Sequence, residues 1–152
     1  MGILARLLGI GDGRRDLLGD LLGAYTAEVE QAAHLRQQAG QARYRQVAAS
    51  LEAIAATEDR HAGWLREHIV ALGGEIPPLA PTPLRGRNQW QRVVAAHHAA
   101  LAKRKRVVDL VSRWDPDEPD TVAVLARIEQ EDSRDLELYE GLVMRSDPQA
   151  LD

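Results

Sequence analysis

Apolar residues recur along this chain at helical spacing, and no stretch alternates with period two, so the pattern predicts helices alone. Glycine and proline divide it into four amphipathic segments. The first is expected over about Arg14–Ala39, ending near Gly40. The second covers about Ala42–Leu72, where Gly73-Gly74 supplies a C-terminal cap. Asn88, followed by Gln91, is a good N-cap for a third helix reaching Trp114. The fourth starts between Asp117 and Asp120, with Pro119 in its first turn, and runs to about Met144. Residues 1–13, punctuated by Gly9, Gly11 and Gly13, form a separate N-terminal segment, and 145–152 a flexible tail.

Connection lengths predict the topology. The first and last connections are short, which makes their helices antiparallel neighbours. The middle one carries Pro77, Pro78, Pro81 and Pro83. Such a segment favours polyproline II at ~3.1 Å per residue, so ~13 residues span ~40 Å. A helix of this kind, at ~1.5 Å per residue, has about the same length. The linker can therefore return the chain along the whole bundle and set the third helix parallel to the second. The expected fold class is all-α, a four-helix bundle with one long Pro-rich crossover.

Polar residues that interrupt the apolar stripes are the candidates for chemistry. The first helix presents Leu17, Leu21, Ala24, Glu28, Ala32, Leu35 and Ala39, with Glu28 at the centre. The second gives Tyr44, Val47, Leu51, Ile54, Glu58, His61, Leu65 and Leu72, so Glu58 and His61 replace successive core residues. The fourth gives Thr121, Leu125, Ile128, Asp132, Asp135, Tyr139 and Leu142, interrupted in the same phase by Asp132 and Asp135. On the third the stripe reads Val93, Val94, His97, Leu101, Arg104, Val108 and Val111, which points His97 and Arg104 inward and Lys103 and Arg106 outward. Buried carboxylates are costly unless a metal, a cation or a hydrogen-bond network compensates them. Carboxylate oxygens with imidazole suit Fe, Mn or Zn, and the spacing of Glu58 and His61 puts both on one helix face.

Composition narrows the class without naming a function. The chain has 152 residues, 45% of them hydrophobic, with no Cys and no Phe. Zero Cys excludes a disulfide framework, a zinc finger and a thiol nucleophile, and suits a cytoplasmic setting. With 19 Lys and Arg against 23 Asp and Glu, a net charge of −4 argues against a nucleic-acid partner. No apolar run reaches the ~20 residues of a membrane span. The N-terminal stretch lacks a signal-peptide cleavage pattern, and its Ile3, Leu4, Leu7 and Leu8 suit docking on the domain or on a partner.

The run Ala24-Tyr-Thr-Ala-Glu28, the run Glu58-Asp-Arg-His61-Ala and the helix stop Ile69-Val-Ala-Leu-Gly-Gly-Glu-Ile-Pro77 together resemble the ferritin-like superfamily, especially its rubrerythrin and bacterioferritin branches. The resemblance covers about residues 14–144. It implies a di-iron carboxylate centre, with a Glu from two helices and Glu-x-x-His from the other two. Ferroxidase, peroxidase or oxygen chemistry, and assembly into a dimer or larger homo-oligomer, are its usual consequences. Glu28, Glu58 and His61 match that pattern residue by residue. Asp132-Ser-Arg-Asp135 stands where Glu-x-x-His is expected, and the third helix has no acid between Gln89 and Asp109, with His97 and Ala100 where a ligand would lie.

The metal-ligand candidates are thus Glu28, Glu58, His61, Asp132, Asp135 and His97, with iron first and Mn or Zn as alternatives. A second reading is metal-free. About the turn near Asp117, Arg104 comes level with Asp132, so an Arg–carboxylate network would fill the site of a non-enzymatic interaction protein. His68 is expected to be a satisfied core or rim histidine, and His34 and His98 surface residues. Leu22 and Val29, beside the main stripe of the first helix, suggest a dimer surface.

Overall fold

A computed structural model describes residues 2–83 and 86–146, with side chains from residue 11 onward. The helices are α1 (Gly2–Gln41), α2 (Arg45–Ala71), α3 (Gln89–Trp114) and α4 (Pro119–Arg145). Among the described residues none is long and apolar enough to cross a membrane. The third helix starts as expected: Asn88 is extended, and its side chain accepts the Gln91 backbone N–H at 2.9 Å. Pro119 opens α4, and Gly73, at φ 84°, closes α2 in the left-handed region that glycine adopts without strain.

One boundary differs. The first helix begins at Gly2 rather than Arg14, because Gly9, Gly11 and Gly13 lower helix propensity without breaking the hydrogen-bond ladder. Any docking by the apolar side chains of residues 3–8 lies outside the described side chains, and the tail beyond residue 146 lies outside the described residues.

Two apolar clusters define the bundle. One joins Leu17 and Leu21 of α1 to Leu65 and Ile69 of α2, Val107 and Leu110 of α3, and Leu125 and Ile128 of α4. The other joins Leu35 of α1 to Leu51 and Ile54 of α2, Val93 of α3, and Tyr139 and Leu142 of α4. The second cluster takes the starts of both α2 and α3, and the first takes their ends. Those helices therefore run parallel, and the crossover between them spans the bundle. Where the crossover passes α1, the carbonyl of Thr82 lies 2.7 Å from His34 Nε2.

The buried faces of α1, α2 and α4 follow the sequence stripes closely. Tyr44 departs from its stripe: it is exposed, as the N-cap residue outside α2. Leu22 and Val29 are partly buried against the first cluster, so neither is free on the surface as the stripe implied. The third helix is rotated from expectation. Its buried face is Arg92, Val93, Ala96, Ala100, Lys103, Val107 and Leu110, while Leu101 and Val108 are 43% and 42% exposed. Ala96 and Ala100 carry small side chains, and small residues let helices approach closely. Choosing the larger Leu101 and Val108 as the core face shifts the phase by one residue, about 100°.

Candidate metal centre

Between the two apolar clusters lies a layer of charge to which every helix contributes. Glu28 comes from α1, Glu58 and His61 from α2, Lys103 from α3 and Asp132 from α4. Glu28, Glu58, His61 and Asp132 each offer one ligand atom, and those atoms all lie within 4.8 Å of one another. All four are buried, His61 and Glu28 completely.

The cation of this layer is Lys103, and this overturns two sequence expectations. The apolar stripe of α3 predicts Lys103 outward and Arg104 inward. Instead the Lys103 ammonium, with 4% of its side chain exposed, donates to Glu28 Oε2 at 2.7 Å, to Asp132 Oδ1 at 3.2 Å and to Glu58 Oε2. Three N–H donors meet three carboxylates, which saturates the ammonium. Arg104 turns to the bundle surface, where it holds Glu129 Oε1 at 2.8 Å and Ser133 Oγ at 3.1 Å. The physical reason is the rotated face of α3: residue 103 shares its phase with Ala96, Ala100, Val107 and Leu110. That spacing was present in the sequence, but a Lys flanked by Ala and Arg reads as solvated surface.

His61 links the layer to the edge of the bundle. Its Nε2 lies 2.9 Å from Glu131 Oε2, which also accepts from Arg60 Nη2 at 2.8 Å. An ionised Glu131 can only accept, so Nε2 carries a proton and Nδ1 faces inward. From there Nδ1 lies 3.5 Å from Asp132 Oδ1 and 3.7 Å from Glu28 Oε1. Glu131 was not singled out in the sequence, because it lies one residue off the α4 stripe and carries no signal of its own.

The remaining candidates lie apart. Asp135 is buried on the α4 face one turn beyond Asp132 but is not among the four grouped ligands. It lines a cavity of about 120 Å³ with Thr57, Arg60, Glu131 and Arg134. His97 is half-buried, and its ring stacks on Tyr139 at 6.1 Å between centroids. It too stands outside the group, because the rotation of α3 turns it toward the flank of α4. His68 lies 2.7 Å from Thr121 Oγ1, a satisfied rim histidine.

Charge in the layer is strongly redistributed. Burial raises Glu28, but its close contacts with Glu58 and His61 and the Lys103 charge outweigh it and hold the carboxyl down at about 2. Burial and the adjacent Glu28 push Glu58 well up, making it the member of the pair that keeps a proton. Burial opposes charge on His61 and Lys103, yet the surrounding carboxylates raise both. Asp132 is raised by burial against the pull of Lys103. Asp135 rises to about 6, through burial and then its neighbour Asp132.

The layer holds unsatisfied donor atoms. Glu28 Oε1, His61 Nδ1 and Asp132 Oδ2 are buried without a hydrogen-bond partner. Buried polar atoms are normally paired, so three together in one layer mark a place where a further group belongs. They are two hard oxygens and one imidazole nitrogen, the donors that suit Fe, Mn or Zn. The Glu131–His61 contact is the outer hydrogen bond that metal-ligating histidines usually have. The donor chemistry of these residues fits a metal ion.

The architecture and this mid-bundle layer define the class of fold, the ferritin-like four-helix bundle. A solved structure of that class to which the chain is similar is BfrA, a bacterioferritin, from M. tuberculosis. The TM-score is 0.75 at 18% identity, over 83% of this chain and 81% of that one. No family model matches the sequence, and no curated protein matches it.

Proposed function

We propose that this chain is a ferritin-like metal-binding protein that holds divalent metal, iron foremost with Mn or Zn as alternatives, on Glu28, His61 and Asp132. One observation carries the reading: Glu28 Oε1, His61 Nδ1 and Asp132 Oδ2 are buried together without a hydrogen bond. Electrostatics supports it. Three carboxylates against one ammonium leave two negative charges, the charge of one divalent ion. Without metal, the raised Glu58 and His61 are the groups that take up protons in its place. Metal binding would then release protons and tighten as pH rises.

Within this reading Glu131 orients the His61 ring and fixes which nitrogen faces inward, while the two apolar clusters keep water from the layer. Bound iron would supply one-electron chemistry toward O₂ or peroxide, an oxidoreductase role. With no Cys in the chain, electrons would come from a separate donor. A cytoplasmic setting and self-association belong to the same reading, the latter supported by the exposed Leu101 and Val108 on α3.

Metal analysis of protein produced in iron- and manganese-rich medium, then reloaded anaerobically with Fe²⁺, tests this. The expectation is stoichiometric binding, at least about one equivalent. Asp132→Asn should weaken binding by more than the roughly tenfold typical of a lost outer hydrogen bond. Less than about 0.1 equivalent at saturating metal, unchanged in the variant, overturns the proposal. A second reading, a metal-free ferritin-like interaction protein, is favoured by one observation: Lys103 already contacts three of the four acids and imidazole in the layer. That outcome of the metal analysis would select it.

A further inference from the structure

In the di-iron pattern of ferritin-like bundles all four helices supply carboxylates to two ions. Here α3 supplies none to the group; it supplies an ammonium. We propose that Lys103 is a built-in substitute for one of two metal ions and limits the centre to a single divalent ion. This rests on the metal-binding reading above and adds to it the number of ions and the residue that sets it.

The two oxygens of each carboxylate carry the argument. Toward Lys103, the atoms Glu28 Oε2, Glu58 Oε2 and Asp132 Oδ1 are all engaged by one ammonium. The second oxygens, Glu28 Oε1 and Asp132 Oδ2, are buried without a hydrogen bond, and the first lies 3.7 Å from His61 Nδ1. Glu28 and Asp132 thus each use one oxygen on the ammonium and leave the other without a hydrogen bond. Charge leads to the same count. A Lys from α3 in this layer, in place of the Glu that the pattern draws from that helix, shifts the charge by two positive units, which removes the need for one divalent ion. The flexible, compact ammonium can occupy an ion's place because it is a point charge with three donors. The branched fork of Arg104 instead meets Glu129 at the surface.

Mn²⁺ loading of the wild-type chain, of Lys103→Glu and of Lys103→Met tests this, read by bound equivalents and by electron paramagnetic resonance. Wild type is expected to bind one Mn²⁺ with the six-line spectrum of an isolated ion. Lys103→Glu, which returns a carboxylate to α3, should bind two and give the spectrum of an exchange-coupled pair. Lys103→Met removes the ammonium without adding charge, and should also bind a second ion, more weakly. One isolated ion in all three proteins overturns the role of Lys103 and leaves the metal-binding reading standing. A coupled pair in wild type overturns it as well, and needs no variant to fold. No binding to wild type with binding to either variant overturns both the single-ion capacity and metal binding by the native chain. No binding to any folded protein overturns both proposals together.

Discussion

Replacing Lys103 by Met should cost the metal-free protein about 3–5 kcal/mol, the usual consequence of removing one partner from a buried ion cluster. The size follows from what is left behind. Glu28, Glu58 and Asp132, none more than 5% exposed, lose the one cation that donates to all of them. Met nearly fills the volume, so the cavity contribution is small and the loss is electrostatic. The pH dependence separates this from a packing defect. Lys103 has its pKa raised by the fold, so its own contribution is fully present below the usual lysine value of 10.5 and fades only above it. Between pH 8 and 5 the change therefore comes from the acids and from His61, which gains charge beside them as pH falls. Asp132 and Glu58 are raised by burial and protonate early on acidification, and a protonated acid no longer needs a cation. The gap between wild type and Lys103→Met should therefore shrink as pH falls. Urea unfolding followed by circular dichroism, in the presence of chelator, measures it. At about 2–4 °C per kcal/mol for a chain of this size, melting should drop by about 10 °C near neutral pH. Divalent metal at about 100 times its dissociation constant should return about 2.7 kcal/mol. A loss below about 1 kcal/mol, or one that is constant with pH, would refute the reasoning.

Asp135→Asn should raise stability near pH 7. The Asp135 carboxyl rises from 3.8 to about 6 in the fold, so its ionisation costs stability as pH climbs through that window and costs nothing below it. Screening at the open side of its cavity reduces the gain to about 1–2 kcal/mol, and urea titrations at pH 7 and pH 3.5 should find it at the first and not at the second. Asn88→Ala removes the side chain that accepts the Gln91 N–H at the start of α3 and should cost about 1 kcal/mol, seen as a lower urea midpoint with unchanged slope.

Much of the centre was legible because three helices are unambiguous. On α1, α2 and α4 the large residues Leu17, Leu51, Ile54, Leu125 and Ile128 mark the buried face, and Glu28, Glu58, His61 and Asp132 fall in phase with them. Their burial follows from helical periodicity alone, as does the return of the chain by a stiff, Pro-rich crossover as long as a helix. Asp135 also lies on that face, and its separation from the ligand group is a matter of distance along α4 that periodicity does not weigh.

The third helix is where periodicity ran out. It carries two faces one residue apart, and both have a regular apolar spacing: Ala96, Ala100 and Val107 on one, Leu101 and Val108 on the other. Hydrophobicity favours the second, and the fold buries the first. Small alanines let α3 pack close to its neighbours, and the aliphatic stem of Lys103 can lie among apolar residues while its ammonium reaches three carboxylates. The sequence by itself determined a ferritin-like bundle with inward acids and an inward histidine. Only the tertiary structure decided which cation faces them, because that choice depends on charges contributed by three other helices.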